Sequence, residues 1–163
     1  MTAPSARLAE LGLSLPAVPA PLASYVPATR SGALVYTSGQ LPLVDGQLVV
    51  AGKVGAGVSA EEAADAARVA ALNALAAVAA VLGDLDRVAR IVKVVIFVAS
   101  APDFTGQPQV GNGASQLLGD VFGDAGRHAR SAVGVSSLPL DAPVEVELIV
   151  EVADQPTIQL VSV

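Results

Sequence analysis

The chain has 163 residues, enough for one domain, and 53% of them are hydrophobic against 15% charged, so a sizeable core can form. A net charge of −6 and an aromatic content of only 3% disfavour a grip on phosphate backbones and a base-stacking platform, so nucleic acid is not an expected partner. Without cysteine, and with His128 as the one histidine, the chain has no disulfide or thiol chemistry and too few ligands for zinc, and no metal is expected.

Residues 1–24 form an N-terminal extension rich in Ala, Leu and Pro. Arg7 to Leu13 is compatible with a short helix, and the prolines at 16, 19, 21 and 27 impose an extended path after it. Ala33 to Ser38 is a predicted strand. Asp45-Gly46, between Leu43-Val44 and Gln47-Leu48, marks a hairpin because the pair accepts the positive φ angles of a tight turn. Gly52 to Gly57 is glycine-rich but lacks the Gly-Lys-Ser/Thr ending of a phosphate loop, and a mobile loop is expected there.

A long helix then begins at Ser59, which with Glu62 three residues on makes a capping box, and stops at Gly83. From Val69 to Leu82 it is apolar almost all round apart from Asn73, the pattern of a helix buried on more than one side. Ile91 to Ala99 is β-branched and reads as a central strand. Val110, Ala114, Leu117, Leu118 and Val121 recur at helical spacing before Gly123, with glycines at 111, 113 and 119 lowering that helix's intrinsic stability. Ser131 to Ser136 is a short strand and Pro143 to Val152 a long one. In the latter, Val144, Val146, Leu148, Val150 and Val152 share one face, and Glu145, Glu147 and Glu151 share the other. Residues 154–163 are a tail. The order describes one α+β domain over 1–163, with a mixed or antiparallel sheet and both helices on one face.

The longest uninterrupted apolar run, Ala74 to Leu82, is far short of the ~20 residues that cross a bilayer. The first residues, Met1 to Arg7, show no secretory pattern, so a cytoplasmic protein with no membrane partner is expected. Surplus apolar surface in such a chain points to a homo-oligomer.

Chemistry concentrates near the C-terminus, in Gly126-Arg127-His128-Ala129-Arg130-Ser131-Ala132-Val133, then Leu138-Pro139, then Val144-Glu145-Val146-Glu147. With Tyr36-Thr37-Ser38-Gly39-Gln40-Leu41-Pro42, Asn73, Gly83-Asp84-Leu85-Asp86 and Ile91-Val92-Lys93-Val94, these segments resemble the Rid family (YjgF-type reactive intermediate deaminases), from about Tyr25 to Val152. The resemblance implies a chorismate-mutase-like fold: a mixed six-stranded sheet, two helices on one face, and a homotrimer with clefts between subunits. It also implies cofactor-free hydrolysis of small enamine and imine acids to 2-keto acids and ammonia.

Carried onto this chain, the resemblance makes Arg130 the clamp for a substrate carboxylate, a task that suits its forked donors. Glu145 becomes the general base for water, and Tyr25 a donor at the cleft mouth. Ser38, Gly39, Asn112 and Ala132 would complete the pocket. Asn112 matches the family's cleft asparagine only with a one-residue offset, and Ala132 stands where the best-known deaminases have cysteine. The rival readings are a trimer that binds small carboxylates without turnover and an endoribonuclease or translation inhibitor, the latter disfavoured by the acidic charge. His128 reads as a surface or interface residue.

Overall fold

The computed structural model describes residues 2–18 and 24–153. The expected tail, 154–163, and Pro19 and Pro21 lie outside the described residues.

The first helix, α1, spans Pro4–Glu10, three residues earlier than its apolar pattern suggested. Pro4 sits at its start, where a ring-fixed φ is already helical and no N–H is missed, and Gly12 follows it at φ 70°. Leu8 is buried, and Ser5 donates from its amide and its hydroxyl to the Asp86 carboxylate, which ties the segment to the body of the domain.

Strand β1 (Ala28–Ser31) pairs antiparallel with β2 (Leu34–Thr37). Sequence reading missed β1, because the run of prolines before it masks the pattern. Next come the two short arms of the Asp45-Gly46 hairpin, β3 (Leu43–Val44) and β4 (Gln47–Leu48). Helix α2 (Ala60–Leu82) follows, then β5 (Val88–Ala99), α3 (Gln107–Phe122), β6 (Ala129–Val135) and β7 (Val144–Val152).

The main sheet runs β1-β2-β7-β5-β6, with only the β5–β6 pair parallel, α3 being the crossover between them. Among the described residues it has five strands and not the expected six. The β3–β4 hairpin closes on itself as a separate two-stranded sheet, and beside it the chain touches the main sheet by the single bridge Gln40↔Val146. Pro42, which has no amide proton, cannot extend that ladder.

The β7 pleat is strict. Val144, Val146, Leu148, Val150 and Val152 are buried under the helices, and the intervening residues face away from them. On β5 two register shifts between Val88 and Lys93 allow Val88, Ile91 and Val94 all to be buried in spite of their spacing of three. The Gly52–Gly57 segment is better held than its glycines suggested. Val54 is fully buried, donates from its amide to the Ala99 carbonyl, and accepts the Ala101 amide.

Helix α2 carries the capping box as expected, Ser59 and Glu62 each bonding the other's backbone, and ends at Gly83 with φ 80°. By length and composition α2 could cross a membrane, yet seven of its alanines between 63 and 77, with Leu75, Val78 and Leu82, pack into the domain core. Those alanines, with no bulk beyond Cβ, let α3 approach closely. At Gly113 a Cβ would overlap the Ala64 carbonyl.

Gly113→Ala is therefore expected to cost about 1–3 kcal/mol, since backbone must shift. Gly119→Ala, on the same helix with nothing within 4 Å of its would-be Cβ, is expected to stabilise by up to ~1 kcal/mol. Urea unfolding midpoints of the two variants measure both signs.

Candidate functional site

Arg130 lies near the start of β6, opposite Val94 of β5. Paired residues in a sheet share a face, so its side chain rises on the helix side and meets α3. There Nη1 donates to Asn112 Oδ1 at 2.9 Å and to Ser115 Oγ at 3.1 Å, and Nη2 donates to the Pro108 carbonyl at 3.3 Å. Gly111 makes the approach possible: a Cβ there would stand 3.3 Å from Nη1 and 2.8 Å from Ile96 Cδ1. A guanidinium has five N–H donors. Three are committed, which leaves Nε–H and one N–H of Nη2 without a protein acceptor among the described residues. None of the four ion pairs among the described residues includes Arg130. Among the described residues the cation is braced by neutral acceptors and has no counterion.

Ala132, opposite Ile96, is on the same side of β6 one pleat along. Arg130, Asn112 and Ala132 thus come together, and the one-residue offset of Asn112 does not keep it from the arginine. Ser115 and the Pro108 carbonyl were missed by sequence reading. Ser115 follows Asn112 by three residues and so shares its helix face, but nothing in the sequence ties that face to Arg130.

The remaining expected residues form a second cluster. Glu145 lies opposite Phe97 and leaves β7 on the face without helices. The Ser38-Gly39 segment curls over it: Leu148 donates its amide to Thr37 Oγ1 in place of a ladder bond, and pairing resumes only at Gln40. A Cβ at Gly39 would overlap the Glu145 carboxyl, so only glycine leaves that carboxyl its place. Ser38 donates from its hydroxyl to the Val26 carbonyl at 2.7 Å and from its amide to the Pro27 carbonyl at 2.8 Å. Tyr25, itself well exposed, is thereby carried beside the same segment.

Burial, and after it the negative charge of Glu147, pushes the Glu145 carboxyl above the ordinary carboxylate range. No hydrogen bond to Glu145 offsets this among the described residues.

The two clusters do not meet within one chain. Arg130 shares the face of Val94, and Glu145 shares the opposite face with Phe97. A cavity of about 310 Å³ lies elsewhere, lined by Pro16, Gln40, Leu41, Leu43, Asn73 and Ala76. Asn73, matched by the resemblance, braces its wall by donating to the Leu41 and Leu43 carbonyls. His128 is half-buried, and both ring nitrogens are engaged.

The raised Glu145 carboxyl has a consequence for stability. Its folded-state affinity for a proton exceeds the unfolded one, so its contribution favours the fold most at acid pH and is lost as pH rises past the ordinary value of 4.5 toward the raised one. Glu145→Gln is expected to unfold at a higher temperature than wild type at pH 7, with the gap closing at pH 4. Thermal unfolding at the two pH values reads this directly.

Comparison with known proteins agrees with this architecture. Residues 5–152 match the family described as "YjgF/chorismate mutase-like, putative endoribonuclease". Protein TCP17 of Trypanosoma cruzi is 48% identical over 148 residues, which cover 90% of this chain and 92% of that protein. The crystal structure of Atu1372 from Agrobacterium tumefaciens, of unknown function, is 48% identical, covers 93% of each chain and superposes with a TM-score of 0.85. A structure from Shewanella oneidensis named a putative endoribonuclease is 35% identical, with a TM-score of 0.89 over 93% of this chain and 100% of that one. With the sheet, both covering helices and nearly the whole described length accounted for, the chain belongs to the YjgF/chorismate mutase-like family.

Proposed function

We propose that this protein is a cofactor-free deaminase of small reactive 2-imino and enamine acids, working as a homotrimer. The observation that carries the reading is Arg130: a cation held by Asn112, Ser115 and Pro108 that, among the described residues, has no carboxylate partner and two N–H donors to spare. A substrate carboxylate takes two parallel bonds from such a fork, and lysine, a point charge, does this poorly.

The opposed half-sites favour assembly. Arg130, Asn112 and Ala132 sit at the β6 edge, and Tyr25, Ser38, Gly39 and Glu145 sit toward the β1–β2 edge. Each half supplies what the other lacks, so the arginine half of one copy would face the glutamate half of the next. The helix-free sheet face supports such contact, because Tyr36, Val133, Val95, Phe97 and Ile149 lie there partly exposed among the glutamates.

In that cleft 2-aminoacrylate takes a proton from solvent at its methylene carbon and becomes the 2-imino acid in its protonated, iminium form. Water attacks the imine carbon while Glu145 removes a proton from it. The resulting carbinolamine expels ammonia and leaves pyruvate. A carboxyl with a raised pKa is the stronger base toward the attacking water, and the proton it takes there is the one it passes to the leaving nitrogen. No electron transfer is involved.

Two rivals remain. A binding module would use the same arginine with Glu145 dispensable. Endoribonuclease activity, which the family description names, would need to attract RNA to a chain of net charge −6, and is the weaker reading.

The test is release of pyruvate and ammonia from freshly generated 2-aminoacrylate. Arg130→Ala and Arg130→Lys are expected to lower kcat/KM by roughly 10²-fold or more. Glu145→Gln should lower kcat by roughly 10²- to 10⁴-fold while 2-oxobutanoate binding persists. No acceleration by wild type, with intact 2-oxobutanoate binding, would leave the binding module as the function.

A further inference from the structure

His128 takes no part in the reading above, yet it is bonded on both sides. Its Nδ1 lies 2.6 Å from the Gly126 carbonyl oxygen, and its Nε2 lies 2.9 Å from Ser115 Oγ. Ser115 Oγ is the atom that receives Arg130 Nη1 at 3.1 Å.

Simple valence orders the protons. A carbonyl oxygen only accepts, so Nδ1 carries the hydrogen and donates to Gly126. The Nε2 of the neutral ring is then an acceptor, and the Ser115 hydroxyl must donate to it. With its proton directed at His128, the serine oxygen turns a lone pair to the guanidinium. Without an acceptor at that point, a helical serine commonly rotates its hydroxyl back to the carbonyl one turn earlier, and the lone pair leaves Arg130. Asn112 alone would then hold Nη1.

We propose that His128 is a positioning residue for Arg130: fixed as the Nδ1–H tautomer by the Gly126 carbonyl, it orients the Ser115 hydroxyl that in turn aims the guanidinium. The relay joins the segment before β6 to α3, so it sets the arginine relative to the helix that lines the site. It rests on the reading of Arg130 as a carboxylate clamp. The same Ser–His contact would serve a nucleophile in a hydrolase, but here the serine oxygen also receives a cationic donor, which suits an acceptor better than an attacking group.

Side-chain reach separates the roles. In His128→Gln the amide oxygen falls near the place of Nε2 and can still accept from Ser115. In His128→Asn the amide stays near Nδ1 and cannot reach. Titration with 2-oxobutanoate is expected to show binding within about twofold of wild type for His128→Gln, and weaker by roughly tenfold for His128→Asn and for Ser115→Ala, the worth of one hydrogen bond. His128→Asn added to Ser115→Ala should bring no further loss.

Tautomer-sensitive ¹H–¹⁵N NMR, unambiguous with one histidine, should show Nδ1–H in the free protein. An Nε2–H tautomer, an unaffected His128→Asn with Arg130→Ala still defective, or covalent labelling of Ser115 by a fluorophosphonate would each overturn the relay. Binding that survives Arg130→Ala would instead overturn the clamp, and the relay's purpose with it.

Discussion

The pleat of one sheet governs how this protein can work. Side chains alternate faces along every strand, and register with β5 places Arg130 on the side of Val94 and Glu145 on the side of Phe97. No rotamer brings a side chain through a sheet. Arg130 and Glu145 are therefore kept apart in one copy, and under the proposed reading a second copy has to bring them together.

Each of the two clusters is shaped by a glycine at a close approach. Gly111 bares the surface of α3 to the guanidinium, and Gly39 leaves the Glu145 carboxyl room beside the backbone. Gly113 does the same between helices, where α3 rests against the Ala64 carbonyl. Two of the three glycines that weaken α3 as an isolated helix, Gly111 and Gly113, are thus the ones that let it pack closely. The stability lost to backbone entropy is offset by burial, with α2 supplying a nearly all-alanine contact surface.

The electrostatics of the halves are complementary. Among the described residues Arg130 is a charge without a counterion, held by neutral oxygens, and Glu145 is a half-buried carboxyl whose ionised form is disfavoured by burial and by Glu147. Each is less satisfied within the protomer than it would be beside an anion or a proton donor. Unsatisfied groups of this kind mark sites more often than they mark packing.

Much of this was legible in the residues. The capping box at Ser59 and the stop at Gly83 set α2 to the residue, and the Val-Glu alternation set which face of β7 is buried, because both are local consequences of spacing. Arg130, Glu145 and Asn112 were nameable from motif context. The sequence could not show β1 behind its prolines, a main sheet of five strands among the described residues where six were expected, or the pairing of Gly39 with Glu145. Nor could it show that Ser115 and His128 stand behind Arg130. Those depend on register between strands and on where α3 crosses the sheet, distances that span from 13 to more than 100 residues along the chain and leave no periodicity to read. Local chemistry chose the elements and the candidate groups; only the tertiary structure decided which faces they occupy.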